Sequence, residues 1–339
     1  MRLAAPIDLY FLIIITIVRV TSWLPYRSVR IAVARVLAGL SYHFSLNKRA
    51  RMKHAVTTAF GSQLGDRELV RILKGSFFDL WWEILGSKPN RIDVDATTEA
   101  RIIGWNHLEE ALAAGKGVIL CENGNFGRRF WAKQILNRKG VRVHQIRGAN
   151  HLSGLEIDSA TATWVRRCAI RPFFDDAERP YITEAICLPS TGNLAYGRAL
   201  LQRLRENAAI CVAADGENGA RLLALPFLGA SYQFSTGMVS LARMSGAAIV
   251  PIVCREMDDG KACLIIEEAI WVDEDEDRER QIEQIIARYA ALFERYILRE
   301  PALYRKWHML SQVQDDIVHN EERLRRDSPE RETFSSTTL

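Results

Sequence analysis

Residues 115–131, GKGVILCENGNFGRRFW, gather the groups best suited to chemistry. Val118, Ile119, Leu120 and Cys121 form an apolar run without polar alternation, which predicts a strand buried on both faces. The run meets Asn123-Gly124-Asn125, after which 128–139 has helical composition. A buried strand that breaks at glycine and restarts as a helix leaves backbone N–H groups facing outward, a geometry suited to an anion or an oxyanion. Glu122, at the strand's carboxyl end, becomes a proton acceptor if burial raises its pKa; otherwise it is an exposed strand-end carboxylate. Asn125 can donate an amide hydrogen bond to a developing oxyanion. Arg128 and Arg129 add charge to the positive end of the following helix and can clamp a phosphate, or simply open the helix in solvent.

Positioning these groups requires a sheet. From about Ala100, strand-like runs at 118–121, 141–146, 170–174, 208–213, 248–253 and 263–266 alternate with helical stretches at 107–114, 128–139, 154–167, 192–206 and 236–244. Such alternation predicts an α/β fold with a mostly parallel central sheet flanked by helices. Asp215 follows the strand at 210–214, and a carboxylate at a strand's carboxyl end faces the crevice of an open α/β sheet. His144 and His151, near the next strand, read more simply as surface or hydrogen-bonded residues, and Ser235 and Thr236 as caps of the helix that follows. Gly246 is placed to close that helix. Residues 278–298 read as a long amphipathic helix. No phosphate-loop, zinc-spacing or GxSxG pattern is present, so no metal or cofactor is expected.

The 339 residues carry a formal charge of +4, but residues 1–60 hold nine basic side chains against Asp8 alone, leaving −4 for the remainder. The basic excess accompanies Ile7 to Leu24, which is almost wholly apolar, so it points to a membrane surface and not to nucleic acid. Eighteen residues reach about 27 Å, marginal for a hydrocarbon core of about 30 Å. The segment is expected to anchor the chain in a bilayer, with an in-plane helix and a buried helix as alternatives. Trp23, Tyr26 and the following arginines supply an interfacial belt. Phe77, Phe78, Trp81 and Trp82 fall at helical spacing and fit a core or an apolar groove. The six cysteines form no CxxC pair, which favours free thiols on a cytosolic face.

Several blocks in one order then resemble a known family: KRARMKHAVTTAFG (48–61), FFDLWWEILG (77–86), GKGVILCENGNFG (115–127), CVAADGENG (211–219), LPFLGA (225–230), FSTGMVSLARMSGAAIVPIVCR (234–255) and PALYRKWHM (301–309). Together they resemble the late lipid A acyltransferases, the lauroyl and myristoyl transferases within the wider glycerolipid acyltransferase superfamily. The resemblance implies an enzyme anchored at the cytosolic face of a bacterial inner membrane. It implies that a fatty acyl chain moves from acyl carrier protein or a coenzyme A thioester to a hydroxyl of a membrane lipid or glycan. The family's signature is a histidine, four residues, then a carboxylate. Aligned through Phe126-Gly127, those positions hold Asn125 and Phe130. Asparagine has no titratable nitrogen near neutral pH, so the departure bears on the mechanism, not the fold.

Arg147 and Asp215 match a basic and an acidic position of the family, so the catalytic set is expected to comprise Asn125, Glu122, Asp215 and Arg147 around one apolar crevice. Arg128, Arg129, Phe126, Gly127, Glu217 and Phe227 are assigned to the substrate. The chain divides into an anchor (1–27), a basic and aromatic helical region (28–98), the α/β domain (99–315) and a disordered charged tail (316–339), with bilayer contact through residues 1–60. Two functions follow: an acyltransferase with an atypical catalytic set, or an inactive homologue that binds lipid or a partner in envelope assembly.

Overall fold

The computed structural model describes residues 3–24, 26–88, 90–147, 163–187, 194–215, 221–273 and 275–310. Five helices come first: α1 (Pro6–Trp23), α2 (Arg27–Phe44), α3 (Leu46–Phe60), α4 (Asp66–Gly86) and α5 (Arg91–Thr98). The α/β part follows as β1 (Arg101–Ile103), α6 (Trp105–Ala113), β2 (Val118–Glu122), α7 (Arg129–Arg138), β3 (Val143–Arg147), α8 (Arg171–Glu178), β4 (Glu184–Cys187), α9 (Leu194–Arg205) and β5 (Ala209–Ala213). It ends with β6 (Leu222–Phe227), β7 (Ala230–Ser235), α10 (Gly237–Ser245), β8 (Ala248–Glu256), β9 (Ala262–Ile266) and α11 (Arg278–Arg299).

The seven-stranded sheet runs β1-β9-β8-β2-β5-β3-β4, with β2 at its centre. β2 pairs in parallel with β5 on one side and β8 on the other. Val118 and Leu120 point into one apolar cluster, Ile119 and Cys121 into the other. That two-sided burial is why the strand shows no polar alternation. Each such side chain taken from water contributes about 1.5–3 kcal/mol.

The expected mixed α/β architecture is present, with differences in detail. Residues 170–174 are helical, not a strand: a π-helical turn, Arg166–Ile170, runs into α8. Ile170 and Phe173 lie three apart and are both buried, a helical spacing, and Pro172 sits in the first turn of α8, where its missing N–H costs nothing. β9 runs antiparallel to β8. Only residues 257–261 join them, too short for a crossover, so the chain turns back on itself through Gly260 at φ 82°. β6 and β7 form a separate antiparallel hairpin whose turn uses Leu228 and Gly229, both at positive φ. The expected helix at 154–167 and the tail at 316–339 lie mostly or wholly outside the described residues.

α1 packs on the body. Phe11, Ile14, Ile15 and Val18 are buried, while Leu9, Tyr10, Ile13, Val20 and Trp23 are exposed. Asp8 is fully buried; its Oδ1 accepts from Arg166 Nε (2.6 Å) and its Oδ2 from Thr163 Oγ1 (2.7 Å). All six cysteines are free, with Cys121, Cys211, Cys254 and Cys263 buried.

After β2, the backbone turns sharply at Gly127, with φ 75°, and Arg128 N donates to Cys254 O on β8 (2.6 Å). A Cβ at position 127 would lie 2.4 Å from that same carbonyl oxygen. Gly127→Ala should therefore lower stability by at least about 1 kcal/mol, measured by denaturant titration. An unchanged unfolding midpoint would show that the close approach does not constrain the turn.

Candidate active site

The loop at the carboxyl end of β2 is built by its own polar side chains. Asn123 Oδ1 accepts from Asn125 N (2.9 Å), an Asx turn that aims Asn125 across the sheet end. Asp215, two residues beyond β5, meets it there. Its Oδ1 accepts from Gly124 N (2.9 Å) and its Oδ2 from Asn125 Nδ2 (3.1 Å). Asn125 thus supplies the N–H that a histidine would offer to its carboxylate. The partner is Asp215, from the neighbouring strand, and not position 130, where Phe130 lies against the Arg129 guanidinium.

Aromatic and basic groups close the back of this pair. Tyr232 Oη donates to Asp215 O (2.7 Å), and Lys306 Nζ donates to Asp215 O (3.3 Å) and Tyr232 Oη (2.8 Å). Tyr289 Oη donates to Glu122 O (3.0 Å). Burial, with Asp215 beside them, raises the pKa of the Tyr289 and Tyr304 phenols well above the ordinary value. Arg305 fixes the loop from outside: its N donates to Asn125 O (2.9 Å) and its Nη1 to Gly127 O (3.0 Å) and Asp79 Oδ2 (2.6 Å).

Glu122 is oriented differently from its expected place. It is buried, not exposed, and continues the face of Val118 and Leu120 toward α7, where Lys133 Nζ donates to its Oε1 (3.1 Å). Lys133 also reaches Glu178 (3.2 Å), which pairs with Arg129 (2.8 Å) and Arg147 (3.1 Å). Burial opposes the positive charges of Lys133 and Arg129, but Glu122 and Glu178 outweigh it and hold both pKa values above their ordinary positions. Glu122 and Arg147 therefore join through one buried ionic network, while Asp215 and Asn125 form a separate group.

Packing places the remaining assigned residues. Arg128 is buried against Asp79 (2.6 Å), with Glu83 and Glu256 near, so neither Arg128 nor Arg129 stands open at a helix start. Phe126 is buried and bridges Tyr304, Gly127 makes the turn, and Phe227 packs inside, tilted against Tyr232 and edge-on to Phe234. His144 is buried beside Glu184 at the sheet's amino end, away from Asn125. Thr236 donates to Arg221 O instead of capping α10. Glu217 and His151 lie outside the described residues. Tyr232 gave no signal in the sequence, whereas Lys306 and Arg305 belong to the basic-aromatic block at 301–309.

Residues 188–312 match the family model of bacterial lipid A biosynthesis acyltransferases. Over that region, about a third of the chain, the sequence is similar to this acyltransferase family. The match spans Asp215, Tyr232, Arg305 and Lys306, and does not reach Asn125. Among solved structures, the chain is similar to the 1-acyl-sn-glycerophosphate (LPA) acyltransferase PlsC from Thermotoga maritima. The identity is 12%, covering 79% of this chain and 98% of that one, with a TM-score of 0.35. No curated protein matches the chain significantly.

A buried network of two carboxylates and three cations thus lies beside the candidate site. Lys133→Met would leave Glu122 and Glu178 buried with one cation fewer. It should cost about 3–5 kcal/mol in chemical denaturation. A loss below about 1 kcal/mol, the scale of an exposed pair, would show that water reaches these carboxylates.

Proposed function

We propose that the protein is a membrane-surface acyltransferase with Asp215 as its proton acceptor. The acyl chain passes from an acyl carrier protein or coenzyme A thioester to a hydroxyl of an envelope lipid or glycan. The acceptor hydroxyl gives its proton to Asp215, its oxygen forms a C–O bond at the thioester carbonyl, and the C–S bond breaks. The departing thiolate then takes up the proton. Asn125 holds the carboxylate through one Nδ2–H, and its second N–H donates to the oxyanion that develops on the thioester carbonyl.

One observation supports this choice of base. Glu122, Glu178, Asp79, Glu83 and Glu256 are all in ion pairs with lysine or arginine, whereas among the described residues the Asp215 carboxylate accepts from the neutral N–H groups of Gly124 and Asn125. Proton transfer to an ion-paired carboxylate disrupts a charge pair, whereas transfer to Asp215 disrupts only contacts with neutral groups. A second reading, a lipid-binding homologue without chemistry, is favoured by the absence of a titratable nitrogen on Asn125 and by the 1% exposure of Asp215.

Transfer from a labelled acyl thioester to envelope lipids separates the two readings. For the enzyme, wild type transfers, Asp215→Asn loses about 10²–10⁴-fold in rate, and Asn125→His retains activity. Silence in wild type combined with transfer by Asn125→His would overturn the enzyme reading in favour of the binder.

Membrane contact belongs to the same proposal. The helix α1 buries one side against the body and holds Asp8 in a buried ion pair, so lipid is expected along its outer side only. Val36, Leu40 and Phe44 add an exposed apolar row on α2, recurring every four residues. This arrangement supports a helix lying in the bilayer interface. The double substitution Leu9→Asp and Ile13→Asp should release the protein from vesicles in sedimentation; full retention would exclude this seat. The free cysteines fit the cytosolic face of a bacterial inner membrane.

A further inference from the structure

The two strands that carry the candidate pair stop short of it. β2 ends at Glu122 and β5 at Ala213, opposite each other in the register, and Asn125 and Asp215 lie in the chain beyond. Ser235 N donates to Ala214 O (3.1 Å), and one residue later a phenol takes over: Tyr232 Oη donates to Asp215 O (2.7 Å). The end of β2 is held in the same way, by Tyr289 Oη donating to Glu122 O (3.0 Å). Each strand end is thus fixed by a buried tyrosine from outside the main sheet, one on β7 and one on α11.

The two tyrosines are tied to each other. Phe234 lies between them, edge-on to both, with its ring centre 5.1 Å from that of Tyr232 and 5.9 Å from that of Tyr289. All three side chains are at most 1% exposed, so close packing fixes their spacing. Lys306 sets the direction of one hydroxyl. A phenol carries a single proton, and an ammonium can only donate. Lys306 Nζ donates to Tyr232 Oη (2.8 Å), which leaves the Tyr232 proton to Asp215 O.

We infer that Tyr232 and Tyr289 are positioning residues, a two-phenol brace that sets the spacing between the Asp215 and Asn125 loops. The Asp215 carboxylate reaches Gly124 N (2.9 Å) and Asn125 Nδ2 (3.1 Å) only while both strand ends keep that spacing. A carboxylate that takes a proton directly, with no imidazole between it and the hydroxyl, has to stay within about 0.5 Å of its productive place. The brace acts through backbone carbonyls and touches no reacting atom. Its effect on rate rests on the acyl-transfer reading; its effect on the loop does not.

Tyr232→Phe and Tyr289→Phe each remove one oxygen and keep the ring contacts with Phe234. In saturation kinetics with the labelled thioester, each should lower kcat about tenfold and leave KM within about twofold, the split expected when placement and not binding is lost. The double variant should lose less than the product of the two, because both act on one spacing. Hydrogen exchange reads the brace without turnover. Peptides over the loop at 123–127 should exchange about tenfold faster in either variant, while those of the β8–β9 ladder stay within about twofold of wild type. A protein that is merely destabilised exchanges faster in the ladder too. Tyr296→Phe, which removes a hydroxyl that α11 donates to Glu267 instead, should leave both readouts within about twofold. Wild-type kcat in both phenylalanine variants, a change in KM in place of kcat, or loop exchange that rises no more than the ladder's would overturn the brace. Silence of wild type in transfer would count against the acyl-transfer reading alone, and the exchange comparison then decides the brace.

Discussion

Asp79 on α4 binds two arginines at once, Arg128 at 2.6 Å and Arg305 at 2.6 Å, and much of the site's geometry depends on it. Arg128 opens the helix that follows β2, and Arg305 holds the carbonyls of Asn125 and Gly127. One buried carboxylate therefore ties the N-terminal helices, the central strand's exit and the C-terminal basic block into a single arrangement. Removing a charge from such a cluster strands its partners in a medium that solvates them poorly. The loop after β2 is positioned by this requirement more than by its own conformational preferences.

The same requirement explains what the sequence made legible. The strand at 118–122, the helix after it and the Gly246 terminus depend on local pattern, and they lie where the residues indicate. The use of Arg128 and Arg129 does not depend on local pattern. Their acids, Asp79 and Glu178, lie about fifty residues away in opposite directions along the chain, so two adjacent arginines look like an open anion clamp until the fold closes. Residues 170–174 misled for a related reason: a short apolar run fits a strand or one buried helical face equally well, and only packing decides.

Glu122 was in part legible. Side chains alternate along a strand, so Glu122 had to share the face of Val118 and Leu120, away from Ile119 and Cys121. A carboxylate on that face meets α7, and Lys133 is the residue of α7 that reaches it. Asn125 escapes this alternation because the Asx turn at Asn123 redirects the chain. The pairing of Asn125 with Asp215 needed the register of β2 with β5, which places Glu122 opposite Ala213 and so brings the two loop starts together.

Division of the sheet end into two faces also separates two kinds of work. On the α7 face, Glu122, Lys133, Glu178, Arg129 and Arg147 join acids to bases in one ionic network. On the other face, Asp215 meets amides and Lys306 meets a phenol and a carbonyl, so among the described residues neither charge is in an ion pair. A proton acceptor needs charge that is not already neutralised. The Asp215 side therefore differs from the α7 face in its charge environment, while the buried ionic network on the α7 face holds the end of β2 in place.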